Sequence, residues 1–203
     1  GSEVLLRSED VAINAETGRV GEQGRTSLAM FTNTGERQTH VGGNGGSATH
    51  GLANAELQRV FANDITIDAP LDSNEGTSVG QSPTAITTRT PDVILDALTL
   101  TGANGQTGAS AGNLGTSGTL RIQTPGKLRT VGAVALTNQT SGNRFEIQAS
   151  DMIEVDPATG RISLRSSGNG LSGTLALDSD DVVSASSAAI GSVIATPSID
   201  AVN

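Results

Sequence analysis

Apolar residues alternate with small or polar ones in short bursts along this chain. One five-residue phrase recurs from near its start to near its end: apolar, any, apolar, any, small or polar. It reads Val11-Ala12-Ile13-Asn14-Ala15, Leu28-Ala29-Met30-Phe31-Thr32, Ile65-Thr66-Ile67-Asp68-Ala69, Leu98-Thr99-Leu100-Thr101-Gly102, Leu120-Arg121-Ile122-Gln123-Thr124, Val134-Ala135-Leu136-Thr137-Asn138, Phe145-Glu146-Ile147-Gln148-Ala149, Ile162-Ser163-Leu164-Arg165-Ser166 and Leu175-Ala176-Leu177-Asp178-Ser179. Strict alternation puts the apolar side chains on one face, so each copy predicts a short half-buried strand. A strand this short cannot bury its face alone, and stacking many copies is what stabilises it. The small or polar fifth position is where the chain is expected to turn.

The spacing of the copies predicts coils. Leu120, Ile122 and Leu128 recur as Phe145, Ile147 and Ile153, then as Leu175, Leu177 and Val183, at offsets of 25 and 30 residues. A second short strand follows the first within each unit, as Val134 to Leu136 follows Leu120 to Ile122. Such a unit, closed by turns, is one coil of a parallel β-helix. About eight coils stacked 4.8 Å apart would make a rod of roughly 40 Å. Earlier in the chain, Val60, Ile65 and Ile67 match Val93, Leu98 and Leu100 at an offset of 33, which implies a protruding loop. Gly35 to Ala55, Asp72 to Asp92 and Thr101 to Gly118, rich in Gly, Ser, Thr and Asn, are the candidate excursions. Little helix is expected: Leu52 to Phe61 is taken as an approach to a strand, and Val182 to Ala195 is left open.

Composition narrows the picture. Leu, Ile, Val and Phe make up about 23% of the 203 residues, just above the level of roughly 20% below which chains are disordered. Order must therefore come from the pattern. The 26 glycines suit an architecture of many tight turns. With no Cys, Trp or Tyr, the core is built from thin aliphatic layers, and disulfides and Cys-ligated zinc are excluded. A net charge of −9 without a basic patch argues against nucleic acid and anionic membranes as partners. No apolar run is long enough to cross a bilayer as a helix. Gly1-Ser2 reads as a cloning scar. Residues 3–203 read as one solenoid segment, most regular over 118–185 and internal to a longer exported protein.

Three stretches resemble the repeat region of large bacterial exoproteins of the filamentous haemagglutinin type, exported by two-partner secretion or as autotransporter passengers. They are ELQRVFANDITIDAPLDS (56–73), GTLRIQTPGKLRTVGAVALTNQT (118–140) and RFEIQASDMIEVDPATGRISLRSSGNGLSGTLALDSDDVVSASSAAIG (144–191). The resemblance implies an all-β, right-handed parallel β-helix, displayed at the cell surface or secreted from a Gram-negative cell. It implies an adhesive or stalk role without catalysis. Its expected partners are an outer-membrane secretion partner and a host or neighbouring-cell surface, protein or glycan. No catalytic, cofactor-binding or metal-binding residue is carried over.

Candidate chemistry is sparse. His40 and His50 stand ten residues apart in a Gly-rich stretch, with no third ligand to join them, and read as loop histidines. Asp178, Asp180 and Asp181, and separately Glu154 and Asp156, are the densest carboxylates, but their spacing fits no known calcium loop. Asp64, Asp68, Asp92 and Asp96 could serve an alternative, a carbohydrate-active β-helix, if two of them converged on one cleft. VGGNGGSATHG and NGQTGASAGNLG lack the Gly-Lys-Ser/Thr of a phosphate loop. The alternation places Ile147 and Leu177 inside, and Glu146 and Asp178 outside as residues whose replacement by Ser should barely register.

Overall fold

The structure, a computed structural model, describes residues 1–8, 10–13, 18–22, 24–33, 38–45, 50–69, 93–101, 113–139, 142–156, 161–166, 173–184, 194–195 and 199–202. In chain order these form β1 (Ser2–Ser8), β2 (Thr26–Asn33), β3 (Thr39–Gly42), β4 (His50–Leu52), α1 (Asn54–Leu57), β5 (Asp64–Asp68), β6 (Val93–Asp96), β7 (Thr99–Thr101) and β8 (Thr119–Thr124). Then follow β9 (Lys127–Thr130), β10 (Ala133–Gln139), β11 (Arg144–Val155), β12 (Arg161–Ser166), β13 (Thr174–Ser184), β14 (Ile194–Ala195) and β15 (Ile199–Val202). The chain is nearly all β, and its strand pairs are parallel.

Two sheets enclose one core. The larger, of 11 strands, is curled into two limbs that share the long strands β11 and β13. One limb runs β1-β2-β5-β8-β11-β13-β15 and the other runs β4-β3-β6-β9-β11-β13, while β7, β10, β12 and β14 form the smaller sheet. Corresponding residues stack in register: Val4, Ala29, Ile65, Leu120, Phe145, Leu175 and Ile199 follow one another across the first limb. Repeats of 25, 36, 55, 25, 30 and 24 residues separate them. Among the described residues this solenoid-like stack has seven rungs where about eight were expected, because two repeats are long, and its first limb rises about 30 Å.

The alternation sets the inside of each strand. Ile65, Ile67, Leu120, Ile122, Phe145, Ile147, Leu175 and Leu177 from the first limb are buried in the same cluster as Leu100, Val134, Leu136 and Ile162 from the smaller sheet and Leu98 just before it. Each such side chain contributes about 1.5–3 kcal/mol by leaving water. The fifth position does mark the corner. Ala69, Thr124, Ala149 and Ser179 are buried there, with Ala149 paired to both Thr124 and Ser179. Thr124-Pro125-Gly126 breaks β8 from β9, since Pro has no N–H to give a ladder, whereas the neighbouring rung runs through the corner as the single strand β11.

Several expectations change. The first strand is Ser2–Ser8, not the phrase at 11–15, whose described residues 11–13 lie outside any strand and whose Val11 and Ile13 pack partly buried against the core. In β2 the phase is inverted: Ala29 and Phe31 point inward, and Leu28 and Met30 are half-buried on the other face. The offset of 33 does not join equivalent residues, because Ile65 and Ile67 lie in the large sheet and Leu100 in the small one, beside Leu136. In the second-half triplet Val182, not Val183, stands beside Ile153, since the register shifts between Ala149 and Met152.

The excursion expected from Gly35 to Ala55 is largely body. It contributes β3 and β4, and β4 steps backwards to lie on the outer side of β3. The stretch read as a strand approach holds the single helical turn α1. Glu56 fastens that turn: its Oε2 accepts the Ala53 N–H at 2.8 Å and its Oε1 the Ile13 N–H at 3.0 Å. Strand β13 runs to Ser184 in the region left open between helix and strand. Asp72 to Asp92, and most of Thr101 to Gly118, lie outside the described residues.

Candidate functional site

With the long aliphatic side chains turned inward, the outer faces of the limbs carry the polar chemistry. On the first limb Arg121 donates from Nε and Nη2 to Glu146 Oε2 at 3.1 and 2.9 Å, Gln148 Nε2 donates to Glu146 Oε1 at 2.9 Å, and Arg144 Nε lies 3.7 Å from Oε2. These partners cover Glu146, which is only 8% exposed. The expectation that Glu146 is a free surface residue is therefore corrected. Glu146→Ser removes the buried acceptor shared by Arg121 and Gln148, and should lower stability in a urea titration by about 1–3 kcal/mol. Glu146→Gln should recover part of that loss, and a midpoint unchanged by Glu146→Ser would contradict the ladder.

A second ladder lies on the other limb. Lys127 Nζ sits 2.9 Å from Glu154 Oε2, and Arg129 reaches both Glu154 Oε1 at 3.5 Å and Asp156 Oδ2 at 3.1 Å. The carboxylates weighed as calcium ligands are thus held by cations. Asp178 is exposed, and the side chains of Asp180 and Asp181 lie outside the described residues. Among the described residues no group of three or more His, Asp or Glu side chains is placed to hold a metal ion.

The two histidines are separated by the strand pairing. His40 stands beside Gly51 and His50 beside Thr39 in β3 and β4, so their side chains point to opposite faces. His40 Nε2 lies 3.9 Å from Asp96 Oδ2, at the corner where Gly42 and Gly43 turn. His50 is fully buried, and among the described residues neither ring nitrogen has a hydrogen-bond partner. Burial lowers its pKa, an effect that the Asp10 carboxylate partly opposes.

A folded-state pKa below the unfolded value of about 6.5 means that the unfolded chain binds the proton more readily. The contribution of His50 to stability is whole above about pH 6.5 and is lost as pH falls through its lowered folded-state value. The melting temperature should decline from pH 7.5 toward pH 5.5, and His50→Leu should flatten that decline. An unchanged slope in the variant would remove His50 as its source.

The three described aspartates of the four, Asp64, Asp68 and Asp96, do not gather. Asp64 and Asp68 lie on one strand four residues apart, about 13 Å, beyond the ~5–9.5 Å of paired glycosidase carboxyls. Asp64 Oδ1 already accepts the Thr119 N–H at 2.8 Å. Asp68 lines a shallow groove of about 210 Å³ with Gln123, Gln148 and Ser150, while Asp96 belongs to the other limb and Asp92 lies outside the described residues.

The polar residues that fasten the fold escaped sequence reasoning. Buried Asn113 donates to the carbonyls of Gln58 and Val60 at 3.0 and 2.8 Å and accepts the Thr101 N–H at 3.2 Å. Buried Asn143 donates to Gly115 and Gly118. Both stand in Gly- and Ser-rich runs, where an Asn that bonds the core cannot be told by pattern from one that faces water. At the N-terminal end a cleft of about 420 Å³ opens onto Leu6, Val11, Ile13 and Val20, with Asp10 and Arg19 among its lining residues.

Comparison with protein-family models, with curated proteins and with solved structures finds no match to this chain. No described helix is long and apolar enough to cross a membrane.

Proposed function

We propose that this chain is a right-handed parallel β-helical segment of a secreted or cell-surface bacterial exoprotein of the filamentous haemagglutinin type, with a structural and adhesive role. The observation that carries this reading is the register of the inward columns. Phe31, Ile67, Ile122, Ile147 and Leu177 succeed one another across parallel strands, so the core continues from rung to rung and can act as a stiff spacer. Parallel strands, curled limbs and a separate third row of short strands agree with coils of a β-helix. Outer faces knitted by cross-strand ion pairs suit a surface that displays polar groups, and the partner of this reading is a protein or glycan on another cell.

Immobilised chain exposed to a panel of surface glycans and extracellular proteins tests the role. Reversible binding with every ligand recovered intact is expected. New reducing ends or unsaturated sugar products would overturn the non-catalytic reading in favour of a carbohydrate-active β-helix. Failure to bind any member of the panel would reduce the role to that of a spacer.

A further inference from the structure

Outward positions of the first limb form columns as regular as the inward ones. Thr32, Asp68, Gln123, Gln148 and Asp178 stand side by side across β2, β5, β8, β11 and β13, each about 4.8 Å from the next. The column adjoins the corner where Thr124-Pro125-Gly126 leaves β8 while β11 runs through. The groove of about 210 Å³ lies at this step, lined by Asp68, Gln123, Thr124, Pro125, Gln148 and Ser150.

Its polar groups are short of partners. Gln148 Nε2 is engaged with Glu146 Oε1, which leaves the Gln148 side-chain carbonyl open. Among the described residues the Asp68 carboxylate, the Gln123 amide and the Ser150 hydroxyl have no hydrogen-bond partner. Thr124 is buried, its Oγ1 accepting the Gly126 N–H at 3.2 Å, and exposed Pro125 adds an apolar ledge.

An amide that donates and accepts, a carboxylate that accepts and a hydroxyl that does both match the hydroxyl groups of a sugar. The volume admits a single sugar ring, and the polar column continues to Asp178 on the next rung, so a chain of rings laid along the limb keeps meeting polar side chains. Charge narrows the class. Asp68 in the groove and exposed Asp178 beside Gln148, with no cation in the lining, disfavour an acidic glycan. A divalent cation fits less well, because Asp68 is the one charged group in the lining and such ions take several oxygen ligands with carboxylates among them. A protein partner would want a pocket for an aromatic or aliphatic anchor, and these lining residues make none.

We propose that this groove binds one ring of a neutral glycan laid along the first limb. The proposal deepens the adhesive reading and rests on it.

NMR of the full chain titrated with neutral hexasaccharides of glucose, galactose and mannose tests it, with hexagalacturonate as the acidic counterpart. The side-chain amide signals of Gln123 and Gln148 should shift with at least one neutral hexasaccharide and stay in place with hexagalacturonate. Gln123→Ala should weaken that binding roughly tenfold while leaving the melting temperature near the parent's, since the Gln123 side chain faces outward and holds no partner. Asp68→Lys should let hexagalacturonate move the same signals. The proposal is overturned if no neutral hexasaccharide moves the two signals, if the shifts survive Gln123→Ala undiminished, or if the parent takes hexagalacturonate equally well. A glycan or protein that binds the chain and leaves both signals in place overturns the groove alone, and the adhesive reading stands. A chain that binds nothing loses both.

Discussion

Ile147→Asp is expected to leave the chain unfolded at 25 °C. Ile147 stands at the centre of the first limb between Ile122 and Leu177, fully buried, with Phe145 on the same strand face. Removing its side chain costs about 2–5 kcal/mol by itself. The new carboxylate adds several kcal/mol, since it has no cation within the aliphatic stack and must be buried unpaired or protonated. That total reaches the ~5–15 kcal/mol by which domains of this kind are stable. Far-UV circular dichroism and a urea titration should show no cooperative transition. Ile147→Val should cost only about 0.5–1.5 kcal/mol, and exposed Asp178→Ser should stay within about 0.5 kcal/mol of the parent. A parent-like titration for Ile147→Asp would mean that the inward and outward faces are exchanged.

Gly42→Ala carries the second large effect. Gly42 has φ of +89° and pairs with Asp96, and a Cβ there would overlap the Asp96 carbonyl oxygen. The left-handed backbone costs a non-glycine residue about 1–2 kcal/mol, and relieving the overlap about 1–3 more. The damage should be local before it is global. Gly42 O accepts the Gly45 N–H and Gly43 O accepts the Asn54 N–H, both at 3.1 Å, so this turn ties β4 and α1 to the body. Amide exchange in 50–57 should quicken more than in β8 and β11. Gly24→Ala is the control: φ is +75°, but its Cβ would meet nothing within 4 Å, so only the conformational part should be lost. Equal losses at the two glycines would mean that the β3–β6 corner is looser than described.

Residues with clean alternation were legible from the sequence. Ile65 and Ile67, Leu120 and Ile122, and Phe145 and Ile147 each have two large apolar residues flanking a polar one, and their strands and inward faces follow from period two alone. Leu28-Ala29-Met30-Phe31 is apolar at four positions running, so either phase satisfies the pattern, and stacking of Ala29 and Phe31 on Ile65 and Ile67 breaks the tie. A one-residue slip exchanges the faces of a whole strand, which makes such a tie consequential. Little of the outer surface was legible. The cover over Glu146 depends on Arg121 lying beside it across the β8–β11 pair, 25 residues away in the chain.

Short, half-buried strands that turn at small or polar corners follow from the residue order alone, because side-chain alternation is a property of each strand. The residue order also determines that the core is aliphatic. Which strands are neighbours depends on the packing of the whole chain. The same phrase serves both sheets, Leu98 and Leu100 having the local form of Ile65 and Ile67, and the choice between sheets follows from chain length between copies and from closure of a shared core. Tertiary structure likewise turned His40 outward toward Asp96 and His50 inward, and sent β4 backwards over β3. The two histidines face opposite ways because His50 stands beside Thr39, the neighbour of His40 along β3, and successive side chains of a strand alternate in direction.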